Sequence, residues 1–233
     1  MTNRQNRFSW LREEKPMRTR ASTGTKRDWP VPFFFGGRLC LDFINTVNSL
    51  SRPATRDYLP DYAALLGWCR QKALFGTQFI AHLEANAGST RAAEAHARAM
   101  ALREALYRVF RSVIEAIPAP ADQLAHLDAV LREARRRQVL VQEGGGFVWR
   151  WDAAQLDFLA PLHAVALSAD ALLTGDDLAR VKECPGPDGC GWLFLDETRN
   201  GSRRWCSMDH CGGAAKARRY AARHGARKGE APA

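Results

Sequence analysis

The chain has 233 residues, of which 46% are apolar and 25% charged, and its formal net charge is +9 at neutral pH. This composition excludes collagen-like or mucin-like repeats and global disorder, and the length is enough for one large domain or for a medium domain with a small one. The most apolar run, Leu156 to Leu173, carries Asp157, His163 and Asp170. It is too charged for lipid, and the basic N-terminus has no apolar core behind it, so neither a membrane span nor a secretory signal is expected.

Charge divides the chain before any motif does. Residues 1–30 carry +5 and residues 199–233 carry +7, while the body between them carries −3. The first 30 residues lack hydrophobic periodicity and are expected to be a disordered basic tail. Order is expected from about Val31-Pro32-Phe33. Gly36-Gly37 then forms a turn, and Leu39, Leu41, Phe43, Ile44 and Val47 mark a short buried helix or a strand-to-helix entry. Asp42, Asn45 and Thr46 are polar residues inside this apolar stretch. They are expected to be caps and buried hydrogen bonds, with a ligand pocket in the helical domain as the alternative.

Helices follow over 61–72 and 77–87. A longer one over 91–117 carries Leu102, Leu106, Val109, Val113 and Ile117 at three- and four-residue steps. Pro118 and Pro120 stop it. Another helix covers 122–138, and residues 139–151 read as a hairpin around Glu143-Gly144-Gly145-Gly146. Asp152 is expected to cap a single helix running to Thr174, and Asp176 to start a short helix leading into Cys184.

Six cysteines are present. Cys40 and Cys69 sit singly in apolar surroundings and read as small core residues. Cys184, Cys190, Cys206 and Cys211 fall as C-x5-C and C-x4-C across a short arm, the pattern of one structural zinc ion held by four thiolates. Two disulfides would need an oxidising compartment, and nothing here exports the chain. His210 is a weaker substitute ligand. Gly191 and Gly212 follow the two pairs and are expected to let backbone amides point at sulfur. Trp192, Phe194 and Asp196 alternate as a strand, Asn200-Gly201 offers a hairpin turn, and residues 203–206 are the expected returning strand. A cationic helix follows over 213–224.

The segment CPGPDGCGWLFLDETRNGSRRWCSMDHCGGAAKARRY resembles the CGNR zinc finger. That finger closes a bacterial family whose N-terminal part is the ABATE domain. GGRLCLDFINTV is similar to that domain's opening motif, and Leu172 to Arg180 resembles the usual approach to the finger. One departure stands out: Cys211-Gly212-Gly213-Ala214 replaces Cys-Gly-Asn-Arg. The metal ligand and its glycine remain, and Lys216, Arg218, Arg219 and Arg223 lie just downstream to replace the lost arginine. The resemblance implies a stress-responsive transcription regulator, with a DNA-binding finger and a sensing helical domain.

The expected fold is therefore mainly α with a small β-hairpin (α+β), followed by a Cys₄ zinc-ribbon-like finger and a basic helix. Its parts are a tail (1–30), a helical domain (31–180), the finger with its helix (181–225) and a flexible end (226–233). Arg199, Arg203, Arg204, Lys216, Arg218, Arg219 and Arg223 are the candidate phosphate contacts for a DNA partner. The helical domain is expected to modulate binding through a small-molecule ligand or homodimerisation, in the cytoplasm. The competing reading is a zinc ribbon that docks to proteins, through Trp192, Phe194 and Trp205 if these do not pack on the helical domain, or a thiolate redox sensor. An enzyme is not expected. Four cysteines leave a zinc no open position, and no Ser/His/Asp set, P-loop or dinucleotide fingerprint is present.

Overall fold

The structure is a computed structural model that describes residues 34–50, 53, 56–186 and 189–225. The expected tails at 1–30 and 226–233, and the start of order at 31–33, lie outside the described residues. The chain divides into two compact units: residues 59–176 form one, and residues 34–58 join residues 177–225 in the other. The partition by packing thus differs from a linear division at residue 180. The helical unit is an insertion in a unit built from both ends of the described chain.

The helical unit contains α2 (Tyr62–Gln71), α3 (Thr77–Ala85), α4 (Thr90–Glu115), α5 (Ala121–Arg136) and α6 (Ala160–Leu173), with β1 (Gln138–Glu143) and β2 (Gly146–Trp151) between the last two. Asp61 and Ser89 cap α2 and α4 by accepting from the amides of Ala64 and Ala92. The buried face of α4 is made by Ala92, Ala95 and Ala99 in its first half, and by Leu102, Leu106 and Val109 in its second. Alanine lets a neighbouring helix approach closely. Ile117, predicted as the last residue of that stripe, is 55% exposed, because α4 ends at Ala116 in a left-handed turn with φ +53°. The α6 helix is buried on nearly every side and is the centre on which α4 and α5 pack. The hairpin forms as expected, around Gly144-Gly145 with φ +57° and +79°, a conformation that glycine adopts without strain.

Two elements differ from expectation. The predicted helix 152–174 is broken. Asp152 caps only a three-residue 3₁₀ turn, and α6 starts at Ala160. Pro161 has no N–H and belongs in a first turn, so the helix begins around it. The Asp157 carboxylate accepts from the Leu159 amide at that new start. The predicted short helix into Cys184 is also brief: a 3₁₀ turn at Leu178–Arg180 gives way to β3 (Val181–Glu183).

In the second unit α1 (Leu39–Ile44) is a buried helical turn and a half. The hairpin here is not 192–196 against 203–206. Instead β4 (Leu193–Leu195) pairs antiparallel with β3, Val181 facing Leu195 and Glu183 facing Leu193. Residues 203–206 are irregular, since their polar groups are engaged elsewhere, as described below. A π-helical turn at Met208–Gly212 leads directly into α7 (Gly213–Gly225), the predicted cationic helix.

Candidate metal centre and cationic surface

The first cysteine pair sits in the loop joining β3 to β4; of the second, Cys206 lies just before the π-helical turn and Cys211 within it. Cys184, Cys190, Cys206 and Cys211 bring their sulfurs within 4.8 Å of one another, and all four are buried. The Cys190–Cys206 and Cys206–Cys211 sulfur separations are 3.7 and 3.6 Å. Four sulfurs about 2.3 Å from a tetrahedral zinc stand about 3.8 Å apart, so the cluster has the size that one zinc ion requires. Contacts with the neighbouring thiols, Cys184 first, together with burial hold Cys206 and Cys211 well above the ordinary thiol range. A dication removes that obstacle to ionisation. The four cysteines are the site of one zinc ion. His210 is not in the cluster; its ring lies 5.7 Å from that of Phe35.

Glycine serves the site differently from expectation. The Gly191 and Gly212 amides donate to the carbonyls of Cys184 and Ser207, closing turns rather than meeting sulfur. The tighter constraint is Gly186, where a Cβ would stand 2.5 Å from the Cys190 Cβ and 3.3 Å from the Cys211 sulfur. A side chain there has no room.

Around the cysteines, a core of Trp192 and Phe194 is completed by Phe35, Leu50 and Trp205. These aromatics pack within their own unit, with the N-terminal segment, and Trp192 and Phe194 are wholly buried. Asp42, Asn45 and Thr46 are buried too. The Asp42 carboxylate accepts from the Gly36 amide, and the Thr46 hydroxyl donates to the Phe43 carbonyl. Asn45 donates to the Leu193 carbonyl at 2.8 Å and accepts from the Leu193 amide at 2.9 Å. Its side-chain amide thereby acts as a strand partner for β4. All three support the unit that holds the cysteines, and none lies in the helical unit.

Asp196, the last residue of the alternating motif, organises the loop that follows. One carboxylate oxygen accepts from the Thr198 amide and hydroxyl, the other from the Lys182 ammonium and the Arg203 amide. Burial alone would raise this carboxyl; Lys182 and Thr198 outweigh it and hold it well below the usual carboxylate range. The Asn200-Gly201 turn is present, with φ +59° at Gly201, and the Lys182 ammonium also donates to the Gly201 carbonyl.

The expected phosphate contacts separate into two groups. The Arg203 guanidinium donates to the carbonyls of Trp205, Leu195, Phe35 and Cys206 and lies 4.5 Å over the Phe194 ring. Its donors face inward. Arg199, Arg204, Lys216, Arg218, Arg219 and Arg223 are exposed. In α7 every residue from Lys216 to His224 is exposed, and Lys216, Arg219 and Arg223 share one face by their three- and four-residue spacing. Tyr220 lies between them, stacked on His224 with ring centroids 4.0 Å apart.

Sequence reasoning missed Lys182, Gly186 and Arg38. Arg38 bridges Asp177 and Glu197 at 2.9 Å each. Spacing within one segment could not show that it reaches residues so distant in the chain.

No curated protein matches the chain. The ABATE family model, described as a putative stress-induced transcription regulator, matches residues 37–176, and the CGNR zinc finger model matches residues 180–224. The chain therefore belongs to the ABATE family and carries a CGNR-type zinc finger at its C-terminal side.

Proposed function

We propose that this protein is a zinc-dependent DNA-binding regulator of transcription, acting in the bacterial cytoplasm, rather than an enzyme. The observation that carries the reading is the exposed cationic helix α7, which starts immediately after the last zinc ligand. Zinc fixes the turn at Met208–Gly212, and that turn sets the direction of a helix about 20 Å long. Lys216, Arg219 and Arg223 repel one another along its face, a pattern that weakens an isolated helix and that a phosphate backbone relieves. Arg204 and Arg199 add charge on the loop before the second cysteine pair. Arg218 lies on a different face of α7 and would meet phosphate from the other side.

Burial of all four cysteines favours a structural site over a redox sensor, since reactive thiolates are partly exposed. The four sulfurs also leave no open position for a substrate. The buried aromatics Trp192 and Phe194 are not available as a protein-docking surface. Among the described residues no helix is long and apolar enough to cross a membrane. The helical unit would supply regulation, through a bound small molecule or a second copy.

The test is binding of zinc-loaded protein to labelled duplex DNA at low salt. Micromolar or tighter affinity that is abolished by Cys206→Ser is expected. A folded, zinc-loaded sample that does not bind would shift the assignment to a protein partner.

A further inference from the structure

The two zinc knuckles are held by a part of the chain that the finger motif does not contain. At the first knuckle, the Leu50 amide donates to the carbonyl of Cys190 at 3.1 Å, and the Ser49 hydroxyl donates to that of Gly189 at 2.7 Å. Just beyond it, the Trp192 indole donates to the Val47 carbonyl at 2.7 Å, and Asn45 makes its two-bond contact with Leu193. At the second knuckle, Arg203 Nη2 donates both to the carbonyl of Cys206, at 2.6 Å, and to that of Phe35, at 2.8 Å. One guanidinium group therefore ties a zinc ligand's backbone to Phe35, which lies 168 positions before Arg203 in sequence. The Leu195 amide donates to the Gly36 carbonyl beside it. Phe35 and Leu50 pack at the two ends of the segment against the cluster that contains the four cysteines.

We propose that residues 35–50 are the second half of the zinc module, and that Arg203 is the positioning residue that joins them to the metal site. Zinc retention and the seating of residues 35–50 then form one equilibrium. The physical basis is linkage. Zinc binds the ordered knuckles far better than the unfolded ones, and the bonds that residues 35–50 make to Gly189, Cys190, Trp192, Leu193, Leu195 and Arg203 exist only when the knuckles are ordered, so each stabilises the other. Arg203 suits the role because its planar fork satisfies several carbonyls at fixed angles, which a lysine ammonium cannot do. A backbone carbonyl held in this way fixes the direction of the adjoining ligand, as outer-shell hydrogen bonds do around metal sites. The inference does not depend on DNA binding. It assigns Arg203 to the metal side of the module instead of the phosphate side.

The experiment uses the full-length zinc-loaded protein. Two readouts are taken: the rate of zinc transfer to an excess of a chromophoric chelator, and amide hydrogen exchange across residues 35–50 before and after zinc removal. The variants are Arg203→Ala, Arg203→Lys and Asn45→Asp. The last keeps the shape of Asn45 but removes its donor to Leu193, and it touches no cysteine. Arg203→Ala and Asn45→Asp are each expected to speed zinc transfer by about tenfold or more. Exchange over 35–50 should rise in both, and in the wild type once zinc is removed, while α6 keeps its protection. Arg203→Lys should fall between wild type and Arg203→Ala. If Arg203→Ala does not fold, the other two variants decide. Wild-type transfer rates in the folded variants, or unchanged exchange over 35–50 after zinc removal, would overturn the proposal. So would an Arg203→Ala protein that keeps zinc normally while losing DNA affinity and salt slope.

Discussion

Gly186 shows how closely one residue can constrain the metal centre. A methyl group there overlaps the Cβ of one zinc ligand and crowds the sulfur of another, and neither neighbour is the far end of a flexible side chain. Gly186→Ala is predicted to speed zinc loss to a competing chelator more than Gly144→Ala, whose added Cβ meets nothing within 4 Å. Equal rates for the two would show that the knuckle can relax around a side chain.

His163 presents a different problem at the same scale. It is fully buried in α6, and neither ring nitrogen meets a protein hydrogen-bond partner among the described residues. The Glu133 carboxylate stands 3.7 Å from Nε2, beyond hydrogen-bonding reach. Burial, then the nearby Arg137 guanidinium, lowers its pKa to about 4 against the opposing pull of Glu133 and Asp157. The folded state thus binds fewer protons than the unfolded one between roughly pH 6.5 and 4. Stability is fully present above that window and is lost as pH falls through it, by about 3 kcal/mol in all. Urea midpoints at pH 7, 5.5 and 4.5 should fall steeply for the wild type and much less for His163→Leu. Parallel curves would contradict this.

The four cysteines were legible in the sequence because ligand spacing is local. Arg203 was not, because a guanidinium in a basic run looks the same whether it meets a phosphate or four carbonyls. The same holds for Asn45, whose two bonds to β4 span 148 positions.

At the scale of elements, α2 to α5 were readable from their three- and four-residue periodicity and the β1–β2 hairpin from its glycine turn, whereas the start of α6 at Ala160 was not. The zinc-side hairpin was not. Its strands have three residues each, and the true partner of β4 lies before the first cysteine pair rather than after the turn. Asn200-Gly201 does turn the chain, but Asp196 and Lys182 hold that turn as a loop instead of a ladder. This link between β3 and the residue after β4 carries a prediction. Lys182→Met leaves Asp196 buried without its cation, and should destabilise the zinc-loaded unit by about 2 kcal/mol, a value reduced for the partly exposed ammonium. Chemical denaturation of the variant measures it, and an unchanged midpoint would mean that the Thr198 and Arg203 donors suffice.

Over the whole molecule, the most consequential feature is that the boundary between the two family matches, near residues 176–180, is only one of two structural boundaries, the other falling between residues 58 and 59 inside the first match. Residues 34–58 belong with residues 177–225, and the helical unit is inserted between them. Linear reading has no access to this, because hydrophobic patterning says that a helix such as α1 is buried without saying against what. A fragment of residues 177–225 lacks Phe35, Asn45, Ser49 and Leu50. Even with zinc bound it should show little amide protection in β3 and β4, where the full chain is expected to show much. Comparable protection in the two would mean that the finger folds alone.

We propose that the zinc unit presents α7 to a polyanion. The most direct test is the salt dependence of duplex binding for the zinc-loaded protein and for its Lys216→Ala/Arg219→Ala/Arg223→Ala variant. Each phosphate contact contributes about 0.9 to the slope of log K against log salt, so the variant should bind more weakly and lose between about 2 and 3 of that slope. Equal slopes for two folded, zinc-loaded proteins would contradict the claim.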